Sequence, residues 1–259
     1  MNIFIIVPYH NAAPWLKRCL DSIDSRFKVI TVNDFSTDGS PEIAREYYLN
    51  DKTLIDARTL TRGVGAARST GMWLANEEGA DYVAFLDADD ELAPDAYDSM
   101  IAAIKEKPQA EIIQFQHRRV MPDGKTAPRF PCRKGVYFPD NLPPLWVSSV
   151  NKVFKAPLLR EVDFDITLRH GEDEVFILDC LKEARYIFVS DYVTMLYHKD
   201  NPNSLSQVTT FDDLMGEQRA LLLFLMEHSG DRELCEAVRK RQVELWNNPT
   251  YRRIIGGAR

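Results

Sequence analysis

The first 90 residues alternate between short apolar runs and stretches with helical spacing. Ile3 to Val7 is a continuous apolar run, as expected of a parallel strand that is buried on both faces of a sheet. Pro14 to Ile23 repeats apolar residues at helical intervals, and the alternation continues as far as a strand predicted at Tyr82 to Leu86. Strands that alternate with helices form doubly wound sheets. The sequence therefore predicts an α/β, Rossmann-like fold with a mostly parallel sheet flanked by helices.

Polar residues follow three of the predicted strands at the point where each strand ends. The segments are PYHN (8–11), NDFSTDGS (33–40) and DADD (87–90). Because the carboxyl ends of parallel strands lie along one edge of a sheet, we expect these segments to meet there. That edge is also where open α/β sheets bind their ligands.

The aspartates Asp87, Asp89 and Asp90 are the sharpest of these features. Adjacent carboxylates repel one another unless a cation or several hydrogen-bond donors compensate their charge. Mg²⁺ and Mn²⁺ prefer carboxylate and phosphate oxygens, so one interpretation is a divalent metal site. The alternative is a solvated acidic turn before a helix predicted at Pro94 to Lys105, since a helix N-terminus favours carboxylates.

Three other motifs carry candidate binding or catalytic residues. Asp34 can accept hydrogen bonds from a nucleobase or a ribose, although aspartate is also a common turn residue. Arg68 in RGVGAARSTG (62–71) is a candidate for binding phosphate or holding the acids, unless this is an ordinary glycine-rich loop. In RHGEDEVF (169–176), neighbouring carboxylates can raise one pKa toward the range of a general base. The alternative for RHGEDEVF is a plain acidic first turn of a helix.

Taken in order, the motifs VPYHN, NDFSTDGS, RGVGAARSTG, LDADD and GEDEVF resemble the pattern of glycosyltransferase family 2 on the GT-A fold. The resemblance covers roughly residues 1–205. It implies an inverting enzyme that uses Mn²⁺ or Mg²⁺ and transfers a hexose or N-acetylhexosamine from a UDP-sugar. The implied acceptor is a glycan or a lipid-linked saccharide in cell-surface polysaccharide synthesis.

The resemblance also implies roles for individual residues. Its DxD motif matches Asp87, Ala88 and Asp89, with Asp87 near the ribose and Asp89 as a metal ligand. Asp173, the second residue of the family's ED pair, is implied as the catalytic base. The other nucleotide-sugar-binding candidates are Pro8, Tyr9, Asn11, Asp34 as the uracil contact, and Arg68.

One segment departs from the family pattern, and another resembles a further part of it. The second motif usually reads DDGS, whereas this chain has Asn33 and Phe35, and Phe35 in place of glycine implies either a different backbone or an aromatic wall. YHKDNPNSLS (197–206) resembles the family segment that closes over the donor diphosphate. His198 is therefore a candidate metal ligand or phosphate contact, although a single histidine is commonly a structural residue. Weaker candidates in this segment are Lys199 and Ser204.

The chain is predicted to divide into a GT-A domain at 1–208 and a helical C-terminal extension at 209–259. Within the domain, residues 1–110 are the nucleotide-sugar-binding half and residues 111–208 the acceptor-binding half. The basic stretch 238–259 suggests contact with an anionic membrane surface at the inner face of the cell membrane; a solvated helix face or a homodimer contact explains it as well. Acceptor-side candidates are Trp146, for which core packing is an equal alternative, Lys152 and Glu172.

Composition limits the remaining possibilities. A formal net charge of −7 argues against nucleic-acid binding, which needs a basic face. No apolar run approaches the ~20 residues of a membrane span, the N-terminus has no signal-peptide pattern, and the 4 cysteines are widely separated. These features favour a cytoplasmic protein. Two alternatives to a transferase stay open: a non-catalytic subunit that binds nucleotide sugars, and a sugar nucleotidyltransferase.

Overall fold

The structure is a computed structural model that describes residues 1–50, 54–129, 133–138, 148–202, 204, 211–227, 230, 235, 236, 238 and 239. Its strands are β1 (Ile3–Tyr9), β2 (Lys28–Asn33), β3 (Ile55–Arg58), β4 (Tyr82–Phe85), β5 (Glu91–Leu92), β6 (Ile112–Val120), β7 (Thr126–Arg129), β8 (Gly135–Tyr137), β9 (Lys152–Lys155) and β10 (Ile187–His198). Its α-helices are α1 (Ala13–Asp21), α2 (Ser40–Leu49), α3 (Val64–Glu77), α4 (Ala96–Glu106), α5 (Glu172–Glu183) and α6 (Phe211–Glu227). A 3₁₀ helix at Ala156–Arg160 follows β9.

The strands form a 10-stranded sheet in the order β3-β2-β1-β4-β9-β6-β10-β5, with β7 paired to β6 and β8 paired to β10. Strands β3, β2, β1 and β4 are parallel. Strand β9 is antiparallel to both β4 and β6, whereas β6 and β10 are parallel to each other. The predicted α/β class is confirmed, and the antiparallel strand β9 interrupts the parallel strands of the sheet. Because β9 is inserted antiparallel, β6 and β10 run in the same direction as β4, and their carboxyl ends share one edge.

Strand β1 lies inside the parallel half and is buried along its whole length, as its apolar sequence predicts. Helix α3 packs closely on this strand at Gly71. A Cβ added to Gly71 would overlap the side chain of Ile6. Only glycine permits such a close approach of backbone to side chain. Since α3 leaves the carboxyl end of β3, its first turns, which carry Arg68, lie at the same edge as the end of β1.

Most predicted elements are present with boundaries shifted by a few residues. The third strand, predicted at Thr53 to Asp56, is observed as β3, and the helix predicted at Pro94 to Lys105 is observed as α4. Strands β5 and β9 were not predicted from the sequence. Both are short, and β9 pairs with residues far away in the chain, such as Tyr82 with Lys155, so local periodicity carries no signal for them.

Helix α6 packs into the same apolar cluster as the sheet through Leu214, Leu221 and Phe224. The helix predicted beyond Phe211 is therefore present as far as Glu227, while the predicted domain boundary at 208 stays a prediction. Most of the basic tail, residues 240–259, lies outside the described residues. In the part of the chain that the structure covers, no helix combines the length and the apolar character needed to cross a membrane.

Candidate active site

Hydrogen bonds join the ends of β1 and β2 at the carboxyl edge. The Asp34 N–H donates to the Tyr9 carbonyl at 2.8 Å, and the Thr37 N–H donates to Asn11 Oδ1 at 2.8 Å. Asn11 has a φ of 48°, a left-handed conformation that asparagine adopts more readily than most residues. The predicted donor-side segments around Pro8 and Asp34 are thus brought together.

Asp34 also fixes the glycine-rich loop that leads into α3. Its Oδ1 accepts a hydrogen bond from the Gly63 N–H at 2.9 Å, and the residue is buried. Gly63 has a φ of 131°, which glycine adopts without steric cost. The carboxylate of Asp34 therefore sets the position from which α3 begins.

Arg68 lies at the centre of the site and is 3% exposed. Its Nη1 donates to Glu172 Oε1 at 2.9 Å and to Asp173 Oδ1 at 3.0 Å. Its Nη2 donates to Asp87 Oδ1 at 2.9 Å. Asp87 follows β4, whereas Glu172 and Asp173 begin α5, so a single arginine joins the two acidic motifs of the sequence into one network.

This network contains more negative than positive charge. Burial, followed by the charge of Asp173, raises the pKa of Glu172 to about 7. Burial also raises the pKa of Asp87, and Arg68 opposes that rise. Burial alone would lower the pKa of Arg68, but the three carboxylates outweigh it and raise the pKa. The excess of carboxylates over guanidinium suits the binding of a further cation.

Asp87, Asp89 and Asp90 form an acidic corner directly after β4. Each offers one carboxylate oxygen, and these atoms lie within 4.8 Å of one another. Asp90 is buried, while Asp87 and Asp89 are partly exposed. Hard divalent cations take carboxylate oxygens as ligands, so these three residues fit Mg²⁺ or Mn²⁺.

A family comparison assigns the chain. Residues 4–165 match the model of the family described as Glycosyl transferase family 2. This stretch is more than half of the chain and contains the ends of β1, β2 and β4. The chain belongs to glycosyltransferase family 2. The matched stretch ends before Glu172 and Asp173, which the structure connects to it through Arg68.

Curated relatives of this family 2 chain come from bacteria. EpsJ of Bacillus subtilis, described as an uncharacterized glycosyltransferase, is 24% identical over 253 residues, which cover 90% of this chain and 72% of EpsJ. The poly(ribitol-phosphate) beta-glucosyltransferase of Bacillus spizizenii is 28% identical over 205 residues, which cover 74% of this chain and 31% of that protein. The chain thus spans most of the first relative and about a third of the second.

Solved structures share the fold. Staphylococcus aureus TarS 1–349 in complex with UDP-GlcNAc superposes with a TM-score of 0.74 at 22% identity, covering 91% of this chain and 71% of that chain. GalNAc-T7 with UDP, GalNAc and Mn²⁺ superposes with a TM-score of 0.54 at 16% identity, covering 74% of this chain and 44% of that chain. Likeness at these identities concerns architecture, and it confirms the predicted GT-A fold of this family 2 chain.

The turn after β2 differs from the family pattern at Phe35. Its φ of 52° is one that glycine adopts freely and that strains a bulky residue. The Phe35 ring lies 4.4 Å from the Arg58 guanidinium carbon. The geometry therefore favours an aromatic wall, held on a left-handed backbone conformation.

Tyr9, a predicted donor-side residue, is 2% exposed. Its hydroxyl donates to Asp56 Oδ1 at 3.3 Å, and burial and the charge of Asp56 raise its pKa. The side chain therefore packs inside the fold, as Pro8 does, whereas Asn11 is exposed at the edge. The proposed contact of Tyr9 with the nucleotide stays a prediction.

The segment after β10 reaches the acidic corner. The His198 N–H donates to Asp90 Oδ1 at 2.8 Å, and His198 Nε2 lies 2.5 Å from Glu91 Oε2. His198 is thus adjacent to the corner without belonging to the group of three carboxylates, and metal ligation by His198 stays a prediction. The weaker candidates bond within the segment, Lys199 Nζ to the Tyr197 hydroxyl at 3.1 Å and the Ser204 N–H to the Asn201 carbonyl at 3.4 Å.

The acceptor-side candidates divide into buried and undescribed residues. Lys152 is 1% exposed, and its Nζ donates to the Ser148 carbonyl at 2.5 Å, which stabilises the turn before β9. The geometry favours a structural position for Lys152 over direct contact with an acceptor. Glu172 is buried against Arg68, and Trp146 lies outside the described residues.

Sequence reasoning missed Arg18, which is hydrogen-bonded at the acidic corner. Arg18 lies in α1 and binds Asp89 and Asp200, which are 71 and 182 residues away in the sequence. These partners come together only because β10 runs in the same direction as β1. The one available signal is the acidic residue that follows His198 and Lys199 in the YHKD segment, and it does not specify a partner.

Proposed function

We propose that the chain transfers a sugar, with inversion, from a UDP-sugar to a saccharide or a lipid-linked saccharide. The observation that carries this proposal is the Arg68 network, in which one buried guanidinium binds Asp87 at 2.9 Å and Asp173 at 3.0 Å. An inverting transferase needs a donor site and a base on opposite sides of one carbon atom. Arg68 fixes the spacing between the acidic motif assigned to the donor site and the acidic motif assigned to the base.

The nucleoside of the donor is assigned to the edge formed by Pro8, Asn11 and Asp34, with Tyr9 packed behind it. Asp34 is a hydrogen-bond acceptor for a uracil N–H, and the Gly63 N–H holds its carboxylate in place. Phe35 adds aromatic surface beside this edge. The fold shared with TarS, which was crystallised with UDP and with UDP-GlcNAc, supports uridine as the nucleoside.

The donor diphosphate is assigned to the acidic corner together with Mn²⁺ or Mg²⁺. Asp89 would hold the ion with Asp87 and Asp90 beside it, and His198 is a further candidate ligand. When bound, such an ion offsets the negative charge that develops on the departing diphosphate. Asp87 would also lie near the ribose, where its bond to Arg68 fixes its orientation. The similar fold of GalNAc-T7, solved with UDP and Mn²⁺, supports a divalent cation.

Asp173 is proposed as the catalytic base. Its side chain is 25% exposed, against 8% for that of Glu172, so Asp173 is the member of the pair that an acceptor hydroxyl can approach. Arg68 orients its carboxylate through a hydrogen bond of 3.0 Å. Asp173 takes the proton of the acceptor hydroxyl while that oxygen attacks the sugar carbon from the face opposite the diphosphate.

The acceptor is proposed to be a cell-surface glycan or its lipid-linked precursor. The relatives named for poly(ribitol-phosphate) support a polymer of this kind. Trp146 and the basic tail would contact the acceptor or an anionic membrane surface on the cytoplasmic side. Binding of the protein to vesicles that contain anionic lipids tests the membrane part of this assignment.

Turnover of a donor panel tests the proposal. UDP-hexoses and UDP-N-acetylhexosamines are incubated with the protein and Mn²⁺, and the release of UDP is measured. Asp173→Asn should lower kcat by about 10²–10⁴-fold while UDP binding stays at the wild-type level. Near-normal turnover in that variant would contradict the assignment of the base. Pyrophosphate chemistry would favour a nucleotidyltransferase, and binding without turnover a non-catalytic subunit.

A further inference from the structure

Arg18 of α1 binds two segments that meet at the acidic corner. Its Nη2 donates to the main-chain carbonyl of Asp89 at 2.7 Å. Its guanidinium also forms a bidentate pair with Asp200, in which Nη1 donates to Oδ2 at 2.6 Å and Nη2 donates to Oδ1 at 3.3 Å. Bidentate pairs of arginine and carboxylate have a fixed relative orientation. Arg18 therefore sets the position of the segment after β10 relative to Asp89.

Asn201 completes the connection, because it follows Asp200 directly and binds the same aspartate. Its Nδ2 donates to Asp89 Oδ2 at 2.8 Å. Asp89 is thus held at its carbonyl by Arg18 and at its carboxylate by Asn201, and Arg18 controls the position of Asn201 through Asp200. The hydrogen bond from the His198 N–H to Asp90 Oδ1 keeps the same segment on the corner.

We propose that Arg18 is a positioning residue for Asp89. It acts through the Asp89 carbonyl and through Asp200 and Asn201 to keep the Asp89 carboxylate directed at the cation and diphosphate of the donor. This inference rests on the proposed function, because it takes Asp89 as a ligand of the divalent cation. Groups that hydrogen-bond to a metal ligand orient it, and their loss typically lowers metal affinity by roughly 10–100-fold.

The charge of Arg18 on its own would have the opposite effect. A guanidinium near the corner repels a divalent cation. If charge were its only influence, Arg18→Met would bind Mn²⁺ more tightly and Arg18→Lys would bind it as the wild type does. Positioning predicts that both variants bind Mn²⁺ more weakly, since lysine keeps the charge but cannot make the bidentate pair. Arg18→Lys therefore separates the two effects.

The experiment measures the affinity of Mn²⁺ for the protein saturated with UDP. Free Mn²⁺ is followed by electron paramagnetic resonance, with UDP alone as the blank. We expect the affinity to fall roughly 10-fold in Arg18→Lys and in Arg18→Met. Arg26→Met is the matched control, because Arg26 also makes a bidentate pair with an aspartate, Asp98 at 2.8 and 3.1 Å, but near the amino end of β2. It should bind Mn²⁺ as the wild type does.

An unchanged or tighter Mn²⁺ affinity in Arg18→Lys would overturn the positioning role. If that variant fails to fold, Asp200→Glu takes its place, since it keeps the negative charge but displaces the carboxylate from Arg18. The same loss of Mn²⁺ affinity is expected in Asp200→Glu. An unchanged affinity would overturn the proposal. A wild-type protein that does not bind Mn²⁺ with UDP would overturn the proposed function itself. If the wild type binds Mn²⁺ and the Arg18 variants bind it with the same affinity, the positioning role alone would be overturned.

Discussion

Two arginines on different helices reach the same acidic corner, and they differ in how much contact with water they keep. Arg68 is 3% exposed and binds three carboxylates. The side chain of Arg18 is 31% exposed and binds a carbonyl and Asp200. Removing one partner of a buried ion pair leaves an uncompensated buried charge, whereas solvated ion pairs contribute little to stability.

The comparison separates two tasks that polar contacts perform within one site. The Arg68 network holds the fold and the site together, so its loss should be seen in the free energy of unfolding as well as in activity. The Arg18 network is proposed to hold the carboxylate of Asp89 in place, so its loss should be seen in metal affinity with little change in stability.

The largest effect on stability is expected from Arg68→Met. Without the guanidinium, the buried carboxylate of Glu172 and the partly exposed carboxylate of Asp87 lose their partner, which should lower the free energy of unfolding by about 3–5 kcal/mol. Urea unfolding measures this change. Arg18→Met and Arg26→Met are the controls and should each cost less than about 1 kcal/mol. Equal losses for Arg68→Met and Arg18→Met would remove the distinction between the two networks.

A pH dependence of stability is expected from Glu172, whose pKa is raised to about 7 by burial and Asp173. The folded protein then holds this proton more tightly than the unfolded chain, where the pKa is 4.5. The resulting contribution is fully present below pH 4.5 and is lost as the pH rises through 7. It amounts to about 3 kcal/mol at most.

Unfolding of the protein without donor or metal, measured at several pH values, checks the contribution of Glu172. Glu172→Gln should lose less stability than the wild type between pH 4 and pH 8. Asp98→Asn, which changes an exposed carboxylate, should keep the wild-type dependence. A Glu172→Gln curve parallel to the wild-type curve would show that Arg68 keeps Glu172 charged throughout, and the raised pKa would be wrong.

A smaller effect is expected from Gly171→Ala at the start of α5. Gly171 has a φ of 82°, and an added Cβ would lie 2.5 Å from Glu217 Cγ on α6. Strain and displacement together should cost about 2–3 kcal/mol and lower turnover, because Glu172 and Asp173 follow directly. Gly79→Ala is the matched control, since Gly79 has a φ of 73° with open space around it. Gly79→Ala should cost about 1–2 kcal/mol and leave turnover unchanged. Equal turnover in both variants would show that the contact between Gly171 and α6 does not position Glu172 and Asp173.

The parallel half of the fold could be predicted from the sequence because its information is local. The apolar run of β1 and the helical spacing of α1 lie within single segments, and the polar segments at 8–11, 33–40 and 87–90 mark where strands end. The antiparallel insertion of β9 in the second half could not be predicted in the same way. Strand β9 is defined by its pairing with β4 and β6, and no periodicity within its four residues indicates that pairing.

The site shows the same limit. Asp87, Arg68 and Asp173 stand in motifs, but their connection through one guanidinium depends on how the first turns of α3 and α5 meet the residues that follow β4. Lys152 is another candidate from the sequence, yet the structure buries it. Residue type and order thus identified candidates, whereas burial and long-range pairing decide which of them reach the ligand.

The most direct test of the central claim is the binding of UDP to the wild-type protein by isothermal titration calorimetry, with Mn²⁺ and with EDTA. If the acidic corner holds a cation that binds the diphosphate, UDP affinity should fall by at least about 10-fold when Mn²⁺ is removed. It should fall to the same level in Asp89→Asn with Mn²⁺ present, and Asp98→Asn should behave as the wild type. UDP affinity that is the same in EDTA, or unaffected by Asp89→Asn, would contradict the account.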